Sequence, residues 1–432
     1  MAKETRVIEE WKEALKERSQ AMMDGVIGIV IALAAYVLMS VPVAGWSQWW
    51  VLLGSFMLIF WVVVFLWDHA ANALVLAPYD SRLFVLGLFL VVLLIPLPFS
   101  ARLVFSSEVK GLGATFLLIN TGVVFALAAL INIIALRTAE SRAMPRWALA
   151  DLRAAPIGLM AGSLVAFLSL LVPSEMTVPE GLWVDLPARA FGLGWAFFAF
   201  FVVLMVAVAL IRRGMPISAN ESPEVQKMSQ VFYSKMRAMY NQLFGMALGL
   251  SAFSLTDLPV KAAADLIPPL AYFAFLYFLI IVFWNKLFRV YAAIPTFDEL
   301  IDFLIAWVAF FVVLAPPVFR QVVLPDPVTR EIGSIAFPIV MAMLALTSGV
   351  LYLHTAGFWR RGVAISSEIK NEFRWWAMGS LALGAVFLAS LLIPLAATLG
   401  HVSLRVIVWW VSLASFVAIM WLAAHVTSPN RG

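Results

Sequence analysis

The chain has 432 residues, 63% of them hydrophobic and only 12% charged, against roughly half apolar and about a quarter charged in a soluble domain. That excludes a soluble enzyme and places the chain in a lipid bilayer. The absence of cysteine excludes disulfides, iron–sulfur clusters and thiolate zinc sites, and the four histidines (His69, His354, His401, His425) hold no metal-ligand spacing, so neither a metal nor a cofactor is expected. A net charge of +4 on well-mixed charges gives no nucleic-acid footprint.

A spanning helix needs about 20 mostly apolar residues. The sequence predicts an all-α polytopic membrane protein with twelve such helices. In chain order they are 24–45, 49–67, 83–105, 112–136, 155–173 and 190–211, then 239–258, 266–288, 300–324, 333–357, 375–399 and 403–424. The first follows a charged helix over 3–20 and leads straight into further spans, unlike a cleaved signal peptide. Twelve spans put both termini on one face. The opposite face holds seven basic residues (Arg102, Lys110, Arg189, Lys261, Arg320, Arg330, Arg405), and all the other Lys and Arg of the 29 lie on the face of the termini. The positive-inside rule then makes both termini cytoplasmic.

The two sets of six repeat one another. Asp24 in RSQAMMDG lies 217 residues before Asn241 in KMRAMYNQ, and at this offset Arg18 meets Lys235, Trp67 meets Trp284 and His69 meets Lys286. SLLVP, Ser169 to Pro173, matches SLLIP, Ser390 to Pro394, at an offset of 221, as Arg153 matches Arg374. The division predicted is 1–215, a six-helix repeat with its N-terminal helix, and 216–432, a linker helix and the second repeat. Ser222-Pro223-Glu224 reads as N-cap, first-turn proline and first-turn acid of that linker helix. Repeats with an even number of spans insert in the same orientation. Two chains would supply four copies of each element, a natural way to build a pseudo-fourfold pore from a homodimer.

The first helix of each repeat, RSQAMMDGVIGIVIALAAY and KMRAMYNQLFGMALGLSAF, sets a basic residue six positions before a short polar one at the start of a small-residue-rich span. This resembles the transmembrane protein 175 family of prokaryotic and lysosomal potassium channels. That family's signature is an Arg, three residues, then Phe-Ser-Asp, followed by a span rich in Ile and Ala. FLWDHAANAL and FWNKLFRVY resemble the end of that family's second helix. LLIPLPFSARLV and VLAPPVFRQVV resemble its proline- and aromatic-rich third-helix ending. The chain departs from the pattern at Met22-Met23 and Met239-Tyr240, which stand at the Phe-Ser pair, and at Asn241, which stands at the acid. The resemblance implies a cation channel, potassium-conducting, in a prokaryotic cell membrane. Its pore would be lined by the first helix of each repeat. The motif network would run through Arg18, Met22, Met23, Asp24, Trp67 and His69, with Lys235, Met239, Tyr240, Asn241, Trp284 and Lys286 in the second repeat.

Two stripes run along these helices at the shared offset. Gly28, Ala32 and Ala35 match Gly245, Gly249 and Ala252; Ile29, Leu33 and Tyr36 match Met246, Leu250 and Phe253. Spacings of three and four keep each stripe on one face. The bulky one either forms a hydrophobic pore constriction that gates by dewetting or packs on neighbouring helices, as the small one does in close helix contacts. Asp24 either pairs, with Arg18, His69 or Lys235, or is a solvated acid favoured by the helix start. Asn120, Thr121 and Asn132 read as interhelical hydrogen-bonders, and Trp pairs such as Trp49-Trp50 and Trp375-Trp376 as an interfacial belt. No phosphate loop, His-Glu zinc helix, nucleophile elbow or TVGYG filter appears, so no enzyme is expected. Two alternatives to a channel are a major-facilitator-type secondary transporter, which mid-span charges would favour and which are nearly absent here, and a non-conducting membrane scaffold.

Overall fold

The computed structural model describes residues 2–39, 42–76, 81–104, 110–139, 146–173, 191–214, 238, 240–252, 267–293, 299–324, 326–357, 367–394, 397–399 and 402–427. They are almost entirely helical. The helices are α1 (Ala2–Met39), α2 (Trp46–Leu76), α3 (Ser81–Leu94), α4 (Leu97–Val104), α5 (Lys110–Ala139), α6 (Arg146–Leu168) and α7 (Gly192–Gly214). They continue with α8 (240–252), α9 (Ile267–Ala293), α10 (Glu299–Val323), α11 (Pro327–Thr355), α12 (Ser367–Ala389) and α13 (Leu404–Thr427). The described strands are one two-residue antiparallel pair, β1 (Thr398–Leu399) and β2 (Val402–Ser403), with Thr398 opposite Ser403.

Among the described residues ten helical stretches are long and apolar enough to cross a membrane. This is the pattern of an integral membrane protein, because only a helix satisfies its own backbone in hydrocarbon. Residues 240–252 and the apolar run Leu404–Ala418 are shorter than the ten. Several boundaries differ from the sequence reading, among them the expected 49–67, found at Trp46–Leu74, and the expected 333–357, found at Pro327–Thr355; two further differences lie at proline. The described part of the first span reaches Met39, and Pro42 to Gly45 are not helical, so the span does not run to 45, as a proline, which disfavours helix before it, would give. The stretch expected at 83–105 is two helices, α3 and α4, separated by a turn at Ile95-Pro96. Ser100 closes this turn, its N–H and Oγ both donating to the Pro96 carbonyl at 2.9 and 2.7 Å. By contrast α10 runs unbroken through Pro316 and Pro317.

The chain divides into two compact units: Met1–Leu38 with Trp50–Met239, and Met39–Trp49 with Tyr240–Gly432. In the first unit α5, α6 and α7 pack around Phe125 and Phe200, whose ring centroids are 5.4 Å apart. Ser163 on α6 donates to the Gly122 carbonyl of α5 at 2.9 Å. The first unit brings α4 onto α5 at Gly113, where a Cβ would stand 2.6 Å from the Leu103 carbonyl carbon. The second unit shows the same close approach at Gly333 of α11, 2.7 Å from the backbone carbon of Gln321. Its core is aromatic: Phe337 meets Phe319 at 4.8 Å and Trp409 at 5.1 Å. In both units a Ser-Leu-Leu 3₁₀ turn, Ser169–Leu171 after α6 and Ser390–Leu392 after α12, ends the helix and gives way to extended backbone at Val172 and Ile393. In the second unit Arg405 holds this end: its guanidinium donates to the carbonyls of Ile393, Leu391 and Ser334 at 2.8, 3.1 and 3.0 Å.

Candidate functional site

The residues singled out in the sequence gather where α1 meets α2 in the first unit and where α8 meets α9 in the second. On α1, Asp24 is buried, and the indole Nε1 of Trp67 on α2 donates to its Oδ1 at 2.8 Å. On α8, Asn241 is half-buried and its Oδ1 accepts from Nε1 of Trp284 on α9 at 3.1 Å. The two bonds join residues at the same separation, 43 positions. Their surroundings differ: Trp67 is 2% exposed and Trp284 42%. A carboxylate out of water needs donors, and at Trp67 a neutral indole supplies one, a partner that charge patterning in the sequence did not suggest. Met23 is buried over Gly87 of α3, Met22 is exposed and Tyr240 is buried. The side chains of Arg18, Lys235, Met239 and Phe253 lie outside the described residues.

One half-turn on from Trp67, His69 turns to α6. Its Nδ1 lies 3.2 Å from Oδ2 of Asp151 on α6, and its ring meets Phe200 of α7 edge-on at 5.7 Å. In the second unit Lys286 on α9 stands at the matching position. Its Nζ sits 3.6 Å from the centroid of Phe416 on α13 and 5.5 Å from that of Trp376 on α12, a cation–π arrangement. The ion pair there has moved one turn along α9: Arg289 bonds Glu372 of α12 at 2.6 Å. Asp151 and Glu372 were not singled out in the sequence, although their spacing of 221 equals that of Arg153 and Arg374. Each unit thus has a polar side-chain pair between its second helix and the helix that carries the Ser-Leu-Leu end, His69 with Asp151 between α2 and α6 and Arg289 with Glu372 between α9 and α12.

The two stripes differ between α1 and α8. On α1 the small residues Gly28, Ala32 and Ala35 are buried, while Ile29 is exposed and Leu33 and Tyr36 are half-buried. On α8 the small residues Gly245, Gly249 and Ala252 are exposed, Met246 is half-buried and Leu250 is buried. A Cβ added at Gly245 or Gly249 would meet nothing within 4 Å. Among the described residues no group of three or more His, Cys, Asp or Glu is placed to hold a metal ion. In comparison with known proteins, no family model matches this chain and no curated protein matches it.

Proposed function

We propose that the chain is a cation channel, potassium-conducting, built as two parallel six-helix repeats with twelve spans. We place both termini in the cytoplasm of a prokaryotic cell and assign the chain to the transmembrane protein 175 family that its first helices resemble. Two chains form the working homodimer, and α1 and α8 of each surround the pore. The observation that carries this reading is the indole bond. At the motif of each half, the second helix fixes the polar residue of the first through a tryptophan, Trp67 to Asp24 and Trp284 to Asn241. This is how a pore helix would be indexed against its scaffold twice in one chain. The close approaches at Gly113 and Gly333 and the two Ser-Leu-Leu turns support the duplication.

Exposure favours Ile29, Leu33, Tyr36 and Met246 as the apolar lining. Such a lining offers a cation nothing to replace its hydration shell, so it passes ions only when it widens and wets. Purified protein in liposomes, compared for potassium, sodium and proton flux, tests the proposal. Potassium flux down its gradient that does not saturate or require a coupled ion is the expected result. Flux indistinguishable from empty liposomes overturns the channel, and saturable ion-coupled uptake replaces it with a carrier.

A further inference from the structure

We propose that the interior of the second unit, beside Trp376, is a binding site for one small inorganic anion of the halide class, held by the Lys286 ammonium and the hydroxyls of Ser348, Ser380 and Tyr352. The proposal does not rest on the channel reading. It starts from a charge imbalance. Lys286 on α9 is buried, and its Nζ has no hydrogen-bond partner. The Nζ lies against the rings of Phe416 and Trp376, and the charged group acting on it is Arg289, another cation. The acid that could serve it is taken, because Glu372 of α12 bonds Arg289 at 2.6 Å. In the first unit the matching acid, Asp151, lies 3.2 Å from His69 itself. Lys286 is thus left without a counter-charge. Ring faces offset only part of what an ammonium loses on leaving water.

Two hydroxyls nearby are also left over. Helical Ser and Thr of this unit bond their own backbone one turn back, as Ser251 does to Ala247, Thr355 to Leu351 and Ser412 to Val408. Ser348 and Ser380 do not: both are wholly buried, and neither Oγ has a hydrogen-bond partner. They stand at one level of two antiparallel helices. α11 and α12 pack closely where Gly349 meets Leu381 and where Gly384 meets Leu346, and these contacts bracket the two serines. Tyr352, one turn beyond Ser348, leans back along α11 and brings its hydroxyl beside that of Ser348. Its ring meets Trp376 at 5.7 Å, the same indole that borders Lys286. Ser380 follows Trp376 by one turn of α12.

This cluster offers donors. An ammonium has three N–H donors and no acceptor, and each hydroxyl can turn one O–H toward a guest. A cation would meet Lys286 with no carboxylate to offset the repulsion. A small anion supplies the missing counter-charge and accepts from several donors at once. The Lys286 Nζ and both serine Oγ atoms are closed off from the surface, which suits a monatomic ion and not a lipid headgroup.

Equilibrium dialysis of the full chain in lipid nanodiscs against labelled chloride, with gluconate holding the ionic strength constant, tests this. The expected result is one chloride per chain, displaced by bromide and not by gluconate, and a thermal midpoint that rises with chloride until the site is full. Lys286→Met keeps the apolar stem and removes the charge, so it should abolish both the binding and the chloride-dependent rise. Ser348→Ala/Ser380→Ala should weaken chloride binding roughly tenfold or more, as loss of a hydrogen bond to a charged group does. An unaltered chain that binds no chloride overturns the proposal and leaves water as the partner of the hydroxyls. Binding that survives Lys286→Met is an adventitious ion only and overturns it as well. If Lys286→Met does not fold, the serine pair decides, and binding unchanged in that variant overturns the site. If neither variant folds, the unaltered chain decides, by whether bromide displaces a single bound chloride.

Discussion

Replacing Trp67 by Phe removes one N–H and leaves the Asp24 carboxylate buried without that donor. A hydrogen bond to a charged group contributes about 1.5–3 kcal/mol. The matching change Trp284→Phe removes a donor from a neutral, half-exposed carboxamide, and polar pairs in membrane proteins average about 0.6 kcal/mol by double-mutant cycle. The two couplings should therefore differ by roughly 1–2 kcal/mol, a factor of about 5 to 30 in the unfolding equilibrium. The lost ring area would confuse single variants. The assay is accordingly a pair of cycles, Trp67→Phe with Asp24→Asn and Trp284→Phe with Asn241→Ala, read by reversible denaturation of the full chain in mixed micelles. A Trp67/Asp24 coupling no larger than that of Trp284/Asn241 would refute the reasoning and show that the indole bond is not what holds Asp24.

Gly333→Ala should lower stability by about 1–3 kcal/mol, since its Cβ would meet the Gln321 backbone at 2.7 Å. Gly245→Ala, with open space around it, should be neutral or stabilising by up to about 1 kcal/mol in the same thermal assay. Leu33→Asn should raise ion flux and relax discrimination between sodium and potassium, as a wetted constriction would. Leu250→Asn should instead destabilise by about 1–3 kcal/mol, because Leu250 is buried. The Asp326 carboxyl, outside the spans, is held below the ordinary carboxylate range by its hydrogen bonds from Thr329. The stability it adds is complete above its unfolded-state value and is lost as pH falls through the lower folded-state one, below about pH 4. Asp326→Asn should remove that part of the acid transition in melts followed against pH.

The sequence predicts twelve membrane spans, and ten of them stand as membrane-length apolar helices among the described residues; these were legible because hydrocarbon imposes an apolar run about 20 residues long on any helix that crosses it. The break at Ile95-Pro96 was not, since prolines also sit within an unbroken helix at Pro316 and Pro317. The site shows the same limit. The offset of 217 brought Asp24, Trp67 and His69 to notice, but charge complementarity pointed to Arg18, His69 or Lys235 as the partner of Asp24. An indole N–H carries no charge for such reasoning to find. Asp151 and Glu372 were equally hidden, because in the second unit the cation they serve has moved one turn, from Lys286 to Arg289. Gln321 and Thr329 meet Met39 and Val43 across 282 and 286 positions, and no pattern within a single helix encodes such a meeting.

That separation also sets an order of events during synthesis. Chains are made at about 5–20 residues per second, so Gln321 and Thr329 emerge roughly 15–60 s after Met39 and Val43. Throughout that interval the Met39 carbonyl and the Val43 N–H lack the partners that later bond them. Long loops closed late are slow to close. Until Gln321 and Thr329 are made, water, lipid headgroups or the insertion machinery are what can meet the hydrogen-bonding need of these two backbone groups.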